Sequence, residues 1–276
     1  MRALGLLASA LSVVALAAAG QGCIISDCDN GRDNCIELQT PTKYTLDPET
    51  KSAAWTTGKG VRVESDNGQV KVIQGGGSEV EATFEAFTLN EEGKEDAARK
   101  EMTSNLKVEV VEEGGVIVVR AVTSSDASGG TGADVTVRLP SAFDSSFDVA
   151  QDNGSVEVDL GGSTPTATRV HTENGTLTIT GAQGSLDIFS GNGSIDLDVA
   201  AWATADGSVL TENGDINISV PSEADGTISF TADGEVTESG VPSAWVATDD
   251  GYTMNAGTGG TVDVTTEFGD IALSVE

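Results

Sequence analysis

The chain has 276 residues, with 14 Lys and Arg against 44 Asp and Glu, so its formal net charge at pH 7 is −30. A polyanion of this size repels phosphate backbones, and we therefore expect no nucleic-acid partner. The 34 glycines predict many turns, while one His and three Cys leave little material for a zinc site or a His-based catalytic triad.

Residues 1–22 have the pattern of an export signal. Arg2 is followed by an uncharged run rich in Ala, Leu and Val that ends in small residues at Ala19. A retained membrane anchor is the alternative, but it needs about 20 strongly apolar residues, whereas this run is rich in Ala and contains Ser9 and Ser12. We expect the segment to be removed on export.

The junction before Cys23 resembles a bacterial lipobox, in which a small residue precedes a Cys that is acylated and becomes the new N-terminus. The resemblance implies a palmitate-type lipid anchor at Cys23. Asp directly after the anchor Cys favours retention at the inner membrane; Ile24 stands there instead, which favours the outer membrane, on its periplasmic or surface face. Gly20 and Gln21 differ from the usual Leu and Ala or Ser, so cleavage near Ala19 to give a soluble secreted or periplasmic protein is the alternative.

Two further cysteines follow the expected anchor. If Cys23 is acylated, Cys28 and Cys35 can pair as a disulfide in an oxidising envelope. The acidic residues between them lack the spacing of a calcium loop, and we expect no metal site. Residues 23–59 as a whole, rich in Ser, Thr and Pro, are predicted to be the lipid anchor and a polar tether.

Residues 60–134 are predicted to be the irregular, capping part of a folded domain that extends over residues 60–276. Alternating apolar residues predict strands, and one of them follows an Asn67-Gly68 pair. Between the strands, the charged stretch from Glu91 to Thr103 predicts one short helix, which would cover the exposed edge strands at the end of the domain.

Residues 135–276 carry a regular repeat in which Asn-Gly precedes an apolar-x-apolar segment. The marking glycines are 17 to 21 residues apart, a period typical of solenoids. Asn-Gly tolerates the positive φ of a sharp turn, and the alternation after it predicts a strand with one buried face. The four clearest copies are marked by Asn153-Gly154, Asn174-Gly175, Asn192-Gly193 and Asn213-Gly214.

These features predict an all-β protein, specifically a single-stranded parallel β-solenoid of the right-handed β-helix type. Stacked coils would align their aliphatic residues in interior columns and their asparagines in a ladder of side-chain amides. One column would contain Val156, Leu177, Ile195 and Ile216, and a second would contain Val158, Ile179, Leu197 and Ile218.

The strand Val135–Leu139 followed by Pro140, together with the Asn-Gly copies after it, resembles a family of bacterial putative-adhesin domains of unknown function. The resemblance extends over roughly residues 60 to 276. It implies an exported β-solenoid and brings no catalytic residues.

An enzymatic function is not indicated by the sequence. Sugar-cleaving β-helices need paired acids, whereas Glu157 and Asp196 would lie two coils apart, near 10 Å. His171 is expected to be a solvated residue beside a turn.

We therefore expect no catalytic residue, cofactor or metal. The expected function is binding or structural display toward an unknown protein or glycan, with the lipid anchor in the membrane. The alternatives are a polysaccharide-active enzyme, lyase or hydrolase, and an envelope-stress sensor.

Overall fold

The computed structural model describes residues 41–202, 206–255 and 257–276. The folded unit within these ranges runs from Thr42 to Glu276. The expected export signal and the three cysteines, Cys23, Cys28 and Cys35, lie outside the described residues. In the part of the chain that is described, no helix has the length and apolar character needed to span a membrane.

The described residues form 22 strands and one helix, which confirms the expected all-β class. In chain order the elements are β1 (Thr42–Thr45), β2 (Glu49–Ala54), β3 (Gly60–Asn67), β4 (Val70–Gln74), β5 (Glu79–Asn90), α1 (Glu95–Asn105), β6 (Leu106–Glu113), β7 (Val116–Thr123), β8 (Thr131–Leu139), β9 (Ser146–Asn153), β10 (Val156–Asp159), β11 (Ala167–Asn174), β12 (Leu177–Ala182), β13 (Ser185–Asn192), β14 (Ile195–Val199), β15 (Gly207–Asn213), β16 (Ile216–Val220), β17 (Gly226–Ala232), β18 (Val236–Ser239), β19 (Val246–Ala247), β20 (Gly251–Met254), β21 (Thr261–Phe268) and β22 (Ile271–Val275).

The strands form two sheets of 11 strands each. The first sheet has the order β1-β5-β8-β4-β10-β12-β14-β16-β22-β18, with β2 paired to β5 beside this path. The second has the order β19-β20-β17-β21-β15-β13-β11-β9-β3-β7-β6. From β9 to β16 the chain alternates between the sheets, so each Asn-Gly turn joins a strand of the second sheet to a strand of the first.

The central strands of both sheets are parallel, and equivalent residues of successive repeats are paired with each other. In the first sheet Val156 is paired with Leu177, Leu177 with Ile195, and Ile195 with Ile216. These four side chains are at most 1% exposed. The expected column of Val158, Ile179, Leu197 and Ile218 lies beside them in the same register and is also buried. At roughly 1.5–3 kcal/mol for each fully buried aliphatic side chain, such columns are the main stabilising contribution to this region.

The order of the strands in space departs from their order in the chain at both ends. The last pair, β21 and β22, lies between β15 and β17 in one sheet and between β16 and β18 in the other. Likewise β3 and β4 lie between the pair β7 and β8 and the pair β9 and β10. Consecutive repeats therefore stack on one another only in the middle of the molecule.

The sheets are of mixed orientation, which corrects the expectation of a uniformly parallel arrangement. Antiparallel pairs join β1, β2 and β8 to β5, β6 to β7, and β17 and β19 to β20. A stack of parallel strands leaves unpaired backbone groups at its ends, and antiparallel hairpins satisfy part of them over short connections.

The predicted tether is partly folded, because β1 and β2 lie within residues 23–59 and both pair with β5. The Thr-rich composition that suggested a tether also suits strands.

The predicted helix is present as α1, which starts after a turn at Gly93 with φ 77°. Glu95 and Asp96 in its first turn favour the helix dipole, and Ala98 and Met102 are buried beneath it.

Candidate binding surface

The asparagines of the repeats form one row of hydrogen-bonded side chains, called here the asparagine ladder. Each Nδ2 donates to the Oδ1 of the neighbouring coil: Asn213 to Asn192 at 3.1 Å, Asn192 to Asn174 at 3.0 Å, Asn174 to Asn153 at 3.1 Å, and Asn153 to Asn67 at 3.2 Å. The amide dipoles point the same way, so neighbouring bonds polarise one another. The ladder therefore links the C-terminal ends of β3, β9, β11, β13 and β15.

The glycines after these asparagines are needed for close packing as well as for their dihedral angles. A Cβ on Gly154 would clash with the carbonyl oxygen of Gly68, and one on Gly175 would clash with that of Gly154. Gly193 and Gly214 have φ 155°. The positive φ that the Asn-Gly pair was expected to tolerate is found at Gly154, Gly193 and Gly214, and among the described non-glycine residues Asn255 alone has a positive φ.

A second polar column lies inside the turns, two positions before Asn192 and Asn213, and is called here the hydroxyl column. Ser190 donates to the carbonyl of Gly175 at 3.0 Å, and Thr211 donates to that of Gly193 at 2.8 Å. Thr266 continues the pattern toward Gly214 at 2.8 Å. This column was not predicted from the sequence, although the recurring Ser or Thr two residues before the Asn was a visible signal.

The outer face of the second sheet carries a row of alternating charges, called here the charge ladder. It consists of Arg62, Asp148, Arg169 and Asp187, which are paired in register on β3, β9, β11 and β13. Arg62 Nε donates to Asp148 Oδ2 at 3.0 Å, and Arg169 Nε donates to Asp187 Oδ2 at 2.7 Å. Neighbouring rungs therefore neutralise each other.

His171 lies in the middle of β11, which corrects its expected position beside a turn. Its Nε2 is 2.9 Å from Asp187 Oδ1, and its ring meets Phe189 edge-on at 5.9 Å between centroids. Burial would raise the pKa of Asp187, but the hydrogen bonds from His171 and Arg169 outweigh it and lower that pKa below its ordinary value. Asp187 is therefore held as a carboxylate that orients both the Arg169 guanidinium and the His171 ring.

Next to the charge ladder, His171, Phe189 and Leu210 follow one another on adjacent strands and are called here the central strip. All three side chains are half-buried. They form the floor of a depression of about 410 Å³, which is also lined by Asp152, Glu173, Asp187 and Ser208. The large tryptophans are elsewhere, because Trp55 and Trp245 are only 9% and 6% exposed.

Asp152, at the rim of this depression, has a raised pKa. Burial is the main cause, and the charges of Asp66 and Glu173 add to it. Asp66 and Glu173 lie on the two strands that flank β9, one on each side of Asp152. Like charges on neighbouring rungs disfavour ionisation of the carboxyl between them.

The outer face of the first sheet holds a second depression, of about 480 Å³, with a different lining. It is lined by hydroxyl, amide and carboxylate side chains, including Thr178, Asp196, Asn217 and Ser219. Asn217 Nδ2 donates to Asp196 Oδ1 at 2.7 Å. The lining contains no aromatic residue, so this depression offers hydrogen bonds without an aromatic ring to stack on.

The two acids compared from the sequence, Glu157 and Asp196, do not lie at a catalytic separation, whereas Asp152 has acidic neighbours, Asp66 and Glu173, on adjacent strands about 4.8 Å away. Glu157 and Asp196 are two strands apart, and Glu157 is bound to Lys71 at 2.6 Å. Asp152 and Asp187 differ in pKa direction, but they are offset by two strands and four residues, about 16 Å between Cα atoms. Glycoside hydrolysis uses carboxyl groups about 5–9.5 Å apart.

The charge of the molecule is strongly asymmetric. Residues 170–276 contain 18 Asp and Glu and no Lys or Arg, so all 14 basic residues precede them. Beyond β11 the outer faces therefore present carboxylates, amides and hydroxyls without a competing cation.

No protein-family model and no curated protein matches the chain. Among solved structures it is similar to a putative cell adhesion protein from Clostridium sporogenes, with 12% identity and a TM-score of 0.49 over 86% of this chain and 100% of that one. It is also similar to a putative adhesin from Bacteroides fragilis, with 10% identity and a TM-score of 0.38 over 83% and 97% of the two chains. A third similar structure, a putative lipid binding protein from Parabacteroides distasonis, has 12% identity and a TM-score of 0.24 over 82% of this chain and 96% of that one.

Proposed function

We propose that this protein is an exported cell-envelope lipoprotein whose folded part is an adhesin-like β-solenoid with a non-catalytic role in binding and display. The observation that carries the proposal is the regular spacing of outward side chains. The asparagine ladder links successive coils, and Ser190 and Thr211 of the hydroxyl column add a bond to two of them, so side chains on the outer faces repeat at about 4.8 Å. A rigid row of this kind can make many weak contacts with one extended partner.

The ion pairs of two outward acids support a non-catalytic role. Glu157 is bound to Lys71 and lies two strands from Asp196, and Asp187 is bound to Arg169, so these acids are not arranged for glycoside hydrolysis.

The envelope location is part of the same proposal. Cys23 would carry the lipid, Cys28 and Cys35 would form a disulfide beside it, and the protein would be held at the outer membrane. Metabolic labelling with a fatty acid analogue tests the anchor. Label should enter the wild-type chain and be lost in Cys23→Ala. Equal labelling of both chains would contradict the anchor and leave a soluble exported protein.

The binding role is tested with the purified full chain on intact envelopes. We expect retention to fall for Asp187→Ala on the second sheet or Asp196→Ala on the first, and to be unchanged for Phe268→Ala at a corner outside both depressions. Depolymerisation of an envelope polysaccharide by the purified chain, abolished at one or two acidic residues, would overturn the proposal in favour of an enzyme.

A further inference from the structure

The depression on the second sheet combines an apolar centre with polar flanks. The central strip of His171, Phe189 and Leu210 runs across adjacent strands at about 4.8 Å per step. On one side lie Asp187 and Ser208, and on the other lie Glu173 and Glu212, two residues further along their strands. The flanking rows are therefore about 13 Å apart, with the strip between them.

The depression is open beside Phe189 because one flanking position lacks a side chain. Gly191 lies next to Phe189 where the neighbouring strands carry Glu173 and Glu212. A Cβ there would lie 2.6 Å from the carbonyl oxygen of Glu173, so the backbone packs too closely for a larger residue. The close packing that requires glycine therefore leaves no side chain at this position beside Phe189.

We propose that this depression binds an uncharged glycan that runs along the central strip. A sugar ring has an apolar C–H face and a rim of hydroxyl groups, which matches an apolar strip with hydrogen-bonding flanks. The inference rests on the proposed binding role and names its ligand class. Phe189 would stack against the ring, while Asp187, Ser208 and Glu173 would accept or exchange hydrogen bonds with its hydroxyls.

The charges around the depression select among glycans. Asp152, Glu173 and Asp187 line the depression, Glu212 lies two residues beyond Leu210 on β15, and beyond Arg169 no Lys or Arg follows in the chain. A polyuronate or a phosphate-bearing polymer would be repelled. A protein partner is disfavoured because protein interfaces rely on large buried anchors, and the strip is shallow and one residue wide.

The experiment measures binding of the full chain to an array of neutral glucans, mannans, galactans and xylans, with polygalacturonate as the anionic comparison. We expect binding to neutral polymers and none to polygalacturonate. Phe189→Ala should weaken binding about tenfold, and Leu210→Glu, which adds a carboxylate to the strip, should abolish it. Phe268→Ala makes the same chemical change at a ring that is 63% exposed outside the depression, and it should leave binding unchanged.

Thermal unfolding of each variant separates loss of binding from loss of fold, and Leu210→Glu provides a second substitution if Phe189→Ala is unstable. Binding of only the polyanion, binding indifferent to both strip variants, or no binding to any neutral polymer would overturn the inference. If the protein is still retained on envelopes in those cases, the broader binding role stands. If it degrades a polymer, that role fails as well.

Discussion

Substitution of Asn174 measures what the asparagine ladder contributes to stability. Asn174 makes two ladder bonds, one as donor to Asn153 and one as acceptor from Asn192, whereas Asn213 makes one, as donor to Asn192. A net value of about 0.5–1.5 kcal/mol per hydrogen bond gives a loss of about 1–3 kcal/mol for Asn174→Ala and about half of that for Asn213→Ala. Because the side chains are exposed, water can replace part of each bond, and the lower half of both ranges is expected.

The assay is urea unfolding of the full chain, with the free energy of unfolding compared among variants. Thr176→Ala is the control, because Thr176 is exposed in the same turn and makes no side-chain hydrogen bond in the described residues. The double variant of Asn174 and Asn192 should lose less than the sum of the single losses, since the two share one bond. Equal losses at Asn174 and Asn213, or strict additivity in the double variant, would refute the ladder as a set of coupled bonds.

Three further substitutions test the core and the electrostatics. Ile195→Ala removes a fully buried residue from the interior column and should cost about 2–5 kcal/mol in urea unfolding, while Thr178→Ala on the outer face should change stability by less than about 0.5 kcal/mol. Asp152→Asn should stabilise the fold at pH 7 by about 0.5 kcal/mol or less. The raised pKa of Asp152 means that its ionised form is disfavoured in the folded state, so the advantage of Asn should vanish as the pH falls through that pKa; an advantage that persists in acid would contradict this cause. Thr178→Asp puts a third carboxylate between Glu157 and Asp196 and should destabilise the fold at low salt, with Thr178→Asn as the neutral control.

The local features of the fold could be predicted from the sequence because they repeat within short stretches. The alternation after each Asn-Gly pair determines which residues face inward, so the columns containing Leu177 and Ile195 followed from the pattern alone. The same repetition placed the asparagines on adjacent rungs. The hydroxyl column had an equally regular signal and was missed because Ser and Thr are common in turns and strands alike.

The order of stacking could not be predicted, because it depends on which edges the chain ends cover. The less regular copies of the repeat near Asp233 and Phe268 follow one another in the chain. In the sheets, however, β21 and β22 pair with β15 and β16, so β17 and β18 lie one position farther from the centre. Their aliphatic residues, such as Ile271, fit the buried columns better than the exposed Val236 of β18. The burial of these aliphatic residues, and not the order of the copies in the chain, therefore agrees with the observed order of the strands. The central strip was also hidden, since it joins residues from three repeats.

The in-register pairing of the strands explains why the residue type at outward positions changes from one copy of the repeat to the next, while the inward positions stay aliphatic. In a parallel stack every residue lies beside its equivalents, so an acid repeated in each copy would create a line of like charges about 4.8 Å apart, where two charges repel by roughly 1 kcal/mol or more. The first sheet avoids this by alternating Glu157, Thr178, Asp196 and Asn217, and the second by alternating Arg and Asp along the charge ladder. Where alternation fails, at Asp152 between Asp66 and Glu173, the pKa is raised. Where its acids are spaced by neutral or basic rungs, a chain of net charge −30 can stack in register with little repulsion, and that spacing also leaves polar and apolar positions side by side on the outer faces.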